Sequence, residues 1–262
     1  MSSEVETSLD VRSGGSNLRF LDSARNDNKV KAKQSLFATL AVYRDHIPRS
    51  AAMNMAIDEA LLSSASVPAI RFYRWQSPAL SFGYFGRFSD VASYQDERDL
   101  VRRWTGGGIV FHGKDLTYSL VVPANDAAFG ESSMSIYEKI HRALCDALSG
   151  IGMCTQLVDS ELCADRTPRS GVPTCNCFEN PVRADVMIDG RKVAGAAQRR
   201  TRRALLQQGS IQSVDLESAL AQRFIRALSA HYSERKLDEE ILNRARELAE
   251  HKYSTDSWLR KR

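Results

Sequence analysis

The run Arg102-Arg103-Trp104-Thr105-Gly106-Gly107-Gly108-Ile109-Val110-Phe111-His112 is where this chain first offers chemistry. Three consecutive glycines let a backbone turn expose several N–H groups and approach a ligand closely, and the flanking arginines and histidine add charge and polar donors. Such a loop suits an acyl carbonyl or a phosphate. Further on, Lys192-Val193-Ala194-Gly195-Ala196-Ala197-Gln198 sets one ammonium group among small residues. If this is a strand, alternation puts Lys192 on the face of Ala194 and Ala196, with open space for a bound acyl chain. Taken by itself, the strand reads better as an exposed hairpin carrying a lysine.

The chain has five cysteines, Cys145, Cys154, Cys163, Cys175 and Cys177. An odd number argues against a secreted disulfide framework, so reduced thiols are the expectation. A thiolate can attack a thioester carbonyl, hold the acyl chain as a new thioester and lose it to an incoming amine, without ATP. Cys145 falls in an amphipathic stretch and reads as core. Cys154, Cys163, Cys175 and Cys177 match structural zinc in number, but paired Cys-x2-Cys knuckles are absent, and no metal is expected.

The elements that would position these groups follow from local pattern. Ser50 can cap a helix in which Met53, Ile57 and Leu61 share a face. Residues 69–75 and 79–83 read as strands around a Gln76-Ser77-Pro78 turn. Residues 100–104 and 109–122 read as strands on either side of the glycines. Ile136, Ile140, Leu144 and Leu148 mark a second helix ending near Gly150. Residues 183–188, the Asp189-Gly190 turn and residues 191–197 predict a hairpin, with a further strand over 205–211. From about 215 the chain reads as helical to its end, in blocks over 216–228 and 237–248. Strands come in runs rather than in alternation with helices, which predicts an α+β class with a mixed or antiparallel sheet.

Composition bounds the rest. The chain has 262 residues, 43% of them hydrophobic, enough for one large core. Residues 1–34 are polar and poorly periodic and read as disordered, leaving residues 35–262 as the catalytic domain. No apolar run approaches the roughly 18 residues of a membrane span, and a secretory signal layout is absent. The expectation is a soluble, cytoplasmic protein without a membrane role. The net charge of +4 is mild, but Arg199, Arg200, Arg202 and Arg203 form one basic run, and Arg260, Lys261 and Arg262 another. These suit acidic partners; no nucleic-acid reader motif accompanies them.

Taken together, the glycine run and the lysine strand resemble the lipoate-protein ligase and octanoyltransferase family. That family's pattern is a double arginine, a glycine triplet and a histidine, followed later by a lysine in a Lys-Val-Ala-Gly-Ser-Ala-like strand. Asn54 to Leu62, Arg71 to Trp75, Leu80 to Tyr84, Leu116 to Ser119 and Gln208 to Ile211 extend the resemblance over most of the chain. It implies the biotin/lipoate protein ligase-like fold, with a mixed, largely antiparallel sheet, flanking helices and a short helical extension. Cys177-Phe178, fifteen residues before Lys192, looks most like the cysteine-dependent octanoyltransferases of the LipM type. One departure is plain: Gly113 stands where those enzymes usually place an aspartate after the histidine.

The resemblance implies an octanoyltransferase with Cys177 as nucleophile and Lys192 polarising the thioester or stabilising charge. Arg103, Gly106, Gly107, Gly108, His112 and Gly195 would bind substrate. Without the resemblance, His112 reads equally as a satisfied core histidine, and Phe82, Tyr84 and Trp104 as core aromatics or an acyl tunnel. The implied donor is octanoyl-acyl carrier protein and the acceptor a lipoyl domain or a glycine cleavage H protein, with no cofactor. The alternatives are an ATP-dependent lipoate-protein ligase, which shares the glycine and lysine features without needing Cys177, and an amidotransferase between lipoyl domains.

Overall fold

Leu40 and Val42 point to one side of a strand and Ala41 and Tyr43 to the other, and both sides are buried. That alternation organises the molecule, because each side of the sheet carries its own pair of helices. The computed structural model describes residues 35–159, 181–212 and 218–261. The expectation for residues 1–34, and Cys163, Cys175 and Cys177, lie outside the described residues.

The chain begins its described course with β1 (Leu40–Arg49), α1 (Ala51–Ser64), β2 (Ala69–Trp75) and β3 (Ala79–Phe82). β4 (Asp99–Arg102), β5 (Ile109–His112), β6 (Leu116–Pro123) and α2 (Ser133–Ser149) follow. Then come β7 (Thr155–Leu157), β8 (Val186–Ile188), β9 (Arg191–Arg200) and β10 (Ala204–Ile211). The last elements are α3 (Ser218–Leu228), β11 (Tyr232–Arg235), α4 (Glu239–Leu248), a π-helical turn (Ala249–Tyr253) and α5 (Asp256–Leu259).

Eight strands form one sheet in the order β11-β1-β2-β6-β10-β9-β8-β7, and β4-β3-β5 form a second. β1 runs parallel to both β11 and β2, and β3 parallel to β4; the other pairs are antiparallel. The class is therefore α+β with a mixed, largely antiparallel sheet, as expected. Leu40, Val42, Ile70, Phe72, Leu120, Val122 and Leu205 pack against Ile136, Ile140 and Leu144 of α2 and Leu220, Phe224 and Leu228 of α3. On the opposite face, Ala41, Tyr43, Ala69, Tyr73, Val121 and Leu206 meet Met55, Ile57 and Leu61 of α1, with Ile241 and Ala245 of α4 beyond. α1 thus lies between the sheet and α4, which is why it is apolar around most of its circumference rather than along one stripe.

Three expectations are corrected. The strand read over 109–122 is two strands in different sheets: the chain breaks at Gly113-Lys114-Asp115, and the Asp115 carboxylate accepts the Gly113 N–H at 3.0 Å. The segment beyond 215 is not helical throughout. β11 interrupts it and pairs with Leu40–Tyr43, so the end of the chain closes an edge that β1 would otherwise expose. Finally, the β8–β9 register slips by one residue between Val186 and Met187. This bulge puts an extra residue on β9 and turns Lys192 toward Gly195, away from the Ala194 and Ala196 face that regular alternation gives it.

Candidate active site

Beneath the site lies a buried charge network that links α1 to β1, β2, β6 and β10. Arg71 on β2 is wholly buried and donates to Asp58 of α1 at 2.9 Å, to Asp45 of β1 at 2.7 Å and to the Asn54 side chain at 2.7 Å. Asp58 also accepts from Tyr73, Ser119 and Gln208. Desolvating these charges is costly, and taking away Arg71 would leave Asp58 buried without its cation, a loss on the order of 3–5 kcal/mol. The network pins α1 to the sheet. It also holds Gln208, whose side-chain oxygen accepts from Thr105 at 2.8 Å, next to the glycine triplet.

The triplet is shaped from both sides. Arg103 donates to the carbonyls of Gly106 at 3.0 Å and Gly108 at 2.9 Å, and to the Ser81 hydroxyl at 2.7 Å. Gly107 has a φ of +84°, which favours glycine. A Cβ on Gly83 would meet the Gly107 carbonyl at 2.0 Å, so the β3 end of the small sheet packs directly on the loop.

His112 ends β5 and is almost fully buried, stacked on Trp75 with ring centres 4.1 Å apart. Its Nδ1 lies 2.7 Å from Asp115 and its Nε2 2.7 Å from Ser81. Burial pulls the imidazole pKa below its usual value, against the opposing pull of Asp115. Burial also raises the Asp115 carboxyl, but the bond and charge of His112, the Gly113 N–H and the Ser210 hydroxyl outweigh it and hold the acid at about 2. With Asp115 ionised, the neutral ring carries its proton on Nδ1 and donates to Asp115. Nε2 then accepts from Ser81, which itself accepts from Arg103. Asp115 thus supplies a carboxylate to His112 although Gly113 follows the histidine.

Lys192 is set from the other wall. Its ammonium lies 2.7 Å from the Asp185 carboxylate, and the two side chains are 5% and 0% exposed. Asp185 also accepts from the Tyr137 hydroxyl of α2 and the Val182 N–H, both at 2.6 Å. Tyr137 in turn accepts from the Ala196 N–H at 3.1 Å. Burial, then the adjacent Asp185 charge, push the Tyr137 phenol well above its ordinary pKa, so it remains a donor. A Cβ on Gly195 would lie 2.5 Å from Lys192 Cε and 2.7 Å from Nζ; only glycine leaves room for the folded-back lysine.

A pocket joins these parts. Arg103, Gly107, His112, Lys192 and Gly195 line it, and Met55, Tyr73, Trp75, Val110, Ala196 and Ala197 give it an apolar wall. Gly106 and Gly108 flank Gly107 with their carbonyls tied to Arg103. The apolar wall is not built from Phe82, Tyr84 or Trp104. Phe82 is buried within the small sheet's core, while Trp104 and Tyr84 are half-buried elsewhere. Cys177 lies outside the described residues, as do Cys163 and Cys175. Cys145 packs against the α2 core, and Cys154 is exposed. Among the described residues no helix is long and apolar enough to cross a membrane.

The sequence reading missed Asp115, Ser81, Tyr137 and Asp185. Asp115 and Asp185 had a weak signal in their places, one just past the histidine and one just before the lysine hairpin. Tyr137 had none, because only packing of α2 on β9 brings it to the site. The arrangement combines an apolar slot, an ammonium held by a carboxylate and a glycine loop with fixed carbonyls. It can seat an acyl chain with its carbonyl carbon near a cation.

Residues 50–256 match the family model for the lipoyl protein ligase A/B catalytic domain. The octanoyltransferase LipM of Bacillus cereus is 38% identical over 182 residues, which cover 64% of this chain and 64% of that protein. The match therefore spans under two thirds of the relative's length. Among solved structures, lipoate-protein ligase A bound with ATP aligns with a TM-score of 0.66 at 22% identity, covering 85% of this chain and 98% of that one. A bi-partite lipoate protein ligase of Thermoplasma acidophilum, studied with its E2 lipoyl domain, aligns with a TM-score of 0.65 at 21% identity, covering 84% and 96%. At those identities the structural likeness is one of fold.

Proposed function

The chain belongs to the lipoyl protein ligase A/B catalytic domain family, and from that membership we propose that it is an octanoyltransferase of protein lipoylation. The donor is an octanoyl thioester on acyl carrier protein, and the acceptor is a lysine of a lipoyl domain or of a glycine cleavage H protein. Cys177 carries the acyl group between them. The observation that most supports this reading is the Lys192–Asp185 pair, 2.7 Å apart on the wall of an apolar pocket. The name of the Bacillus cereus relative supports it as well.

In the first half-reaction the Cys177 thiolate attacks the thioester carbonyl carbon, and the carrier's sulfur leaves as a thiol after taking a proton. In the second, the neutral amine of the acceptor lysine attacks the new thioester, Cys177 sulfur leaves, and the amine loses its proton as the amide forms. The Lys192 ammonium stabilises the oxyanion of each tetrahedral intermediate and favours the thiolate that starts and ends the cycle. Asp185 and Tyr137 hold that ammonium in place. Arg103, Gly106, Gly107, Gly108 and His112 shape the end of the slot where the carbonyl sits, and Gly195 leaves space for the lysine. Each methylene of the acyl chain buried against Met55, Trp75 and Val110 contributes about 0.8 kcal/mol.

Mixing the protein with octanoyl-acyl carrier protein and a lipoyl domain, without ATP, tests the reaction class. Octanoylation of the domain is the expected result. Modification that starts only on adding ATP and a free acid would assign the chain to the ligases instead, and transfer only from an already modified lipoyl domain would make it an amidotransferase.

A further inference from the structure

The two basic runs of the sequence are about sixty residues apart, yet the fold brings one member of each together. On β9 the register with β10 is unbroken from Ala194 to Arg200, so Gly195, Ala197 and Arg199 share a face. Gly195 and Ala197 line the pocket, and Arg199 continues the same row outward. Its guanidinium lies over the rings of Tyr84 at 5.3 Å and Trp104 at 5.0 Å. Lys252 sits 4.4 Å from the Trp104 ring centre and 4.3 Å from that of Trp258, and Lys261 is 5.0 Å from Tyr84 and 5.2 Å from Trp258. Arg200 points the other way, over Phe129, and takes no part.

Three cations therefore share three aromatic faces, and among the described residues the one carboxylate bonded to them is Glu59, which holds Lys252 at 2.6 Å. The positive potential is felt by its neighbours. Burial lowers the Lys252 pKa, and the Arg199 and Lys261 charges lower it further against Glu59. The Tyr84 phenol is lowered by its bond from Lys261 and then by the surrounding cations. Aromatic faces hold the cations in place without neutralising them, which leaves their charge for an incoming anion.

The cluster adjoins the pocket through both walls. Trp104 follows the pocket-lining Arg103, the Tyr84 N–H donates to the Thr105 carbonyl, and Arg199 is two residues beyond Ala197. From Gly195 to Arg199 the strand advances about 13 Å, and the arginine side chain reaches further. An anion bound here is therefore not the reacting acyl carbonyl. It is a group carried well behind it on the same donor.

We propose that Arg199, Lys252 and Lys261, seated on Tyr84, Trp104 and Trp258, form an anion site beside the pocket mouth that takes the phosphate of a phosphopantetheine-borne acyl thioester. The inference rests on the transferase reading for its choice of ligand. A phosphopantetheine arm ends in the thioester and carries its phosphate at the far end of a long, narrow chain, so acyl group in the slot and phosphate on the cluster fit one molecule. The flexible arm between them needs few specific contacts.

Titration calorimetry of the full chain with 4′-phosphopantetheine and with pantetheine tests the site apart from turnover. The phosphorylated compound should bind more tightly, and Arg199→Gln or Lys261→Gln should weaken it by roughly tenfold, the scale of one charge-assisted hydrogen bond at a half-exposed site, while pantetheine is unaffected. In the transfer assay the same variants should raise KM for octanoyl-phosphopantetheine and leave KM for octanoyl-pantetheine and kcat unchanged. Equal affinity of the wild-type protein for the two compounds would overturn the proposal. So would variants that weaken ATP and not phosphopantetheine, which would make the cluster a nucleotide site. Phosphate-dependent binding without any transfer would uphold the site and sink the transferase reading, so the two failures are distinct.

Discussion

The Lys192 ammonium and the Asp185 carboxylate meet at 2.7 Å in a nearly water-free wall, and Tyr137 and the Val182 N–H also donate to the acid. Lys192 is therefore a fixed cation rather than a free surface lysine. Lys192→Ala should lower turnover by about 100- to 1000-fold, the usual loss for one electrostatic donor in a reaction centre. Asp185→Asn should cost less, because the lysine remains but loses its anchor. Steady-state kinetics on folded variants checks both, and a fully active Lys192→Ala protein would remove the residue from the mechanism.

Gly195→Ala tests placement without touching charge. The added methyl would sit within 2.5 Å of the lysine stem, and that flexible end would have to move off Asp185. The expected result is a clear fall in kcat with little change in melting temperature. Loss of stability with unaltered kcat would mean that the glycine serves the strand and not the lysine.

The parts of this molecule that were legible in sequence are those whose signals are local. Ser50 caps α1 at 3.3 Å from the Met53 N–H, and Asp189 and Gly190 both have positive φ, the geometry of the hairpin turn their types announce. β1 is hidden because Leu40 to Tyr43 are buried on both faces and show no period of two. β11 is hidden for a different reason: Tyr232–Arg235 is mostly exposed, and it is a strand because Leu40–Tyr43 lies beside it. The glycine loop and lysine strand stood out as motifs, whereas Asp185, Tyr137 and Asp115 acquire their roles only through a bulge and a helix packed from elsewhere.

Acid should destabilise the fold in two steps. Burial, opposed by the bond to the Ala184 carbonyl and the Asp185 charge, brings His141 down to about 4 from 6.5. Between those values the unfolded chain binds a proton that the folded one refuses, so stability falls as pH is lowered from 6.5 to about 4, by about 3 kcal/mol from His141, and the buried His112, whose pKa is also lowered, adds to the same fall. Asp115 acts lower: its contribution, complete above 3.8, is lost as pH falls through about 2. His141→Asn can keep the bond to Ala184 without titrating. Its denaturation midpoint should vary less between pH 6.5 and 4, with the lower step retained; an unchanged profile would exclude His141 as its source.

Arg102 fastens the end of the chain. Its guanidinium donates to the carbonyls of Tyr84, Gly86, Trp258, Leu259 and Lys261. Arg102→Ala leaves those acceptors without their donor and should cost more than about 2 kcal/mol in chemical denaturation. It should also release Lys261 from Tyr84 and weaken discrimination between phosphopantetheine and pantetheine. Unaltered discrimination in a destabilised variant would separate the latch from the anion site.

Intact-mass analysis after mixing the protein with octanoyl-acyl carrier protein, without ATP, shows whether Cys177 carries the acyl group. One octanoyl adduct is expected, which maps to Cys177, disappears on adding a lipoyl domain, and is abolished in Cys177→Ala while persisting in Cys175→Ala. An adduct on Cys175, or full transfer by Cys177→Ala, would contradict it.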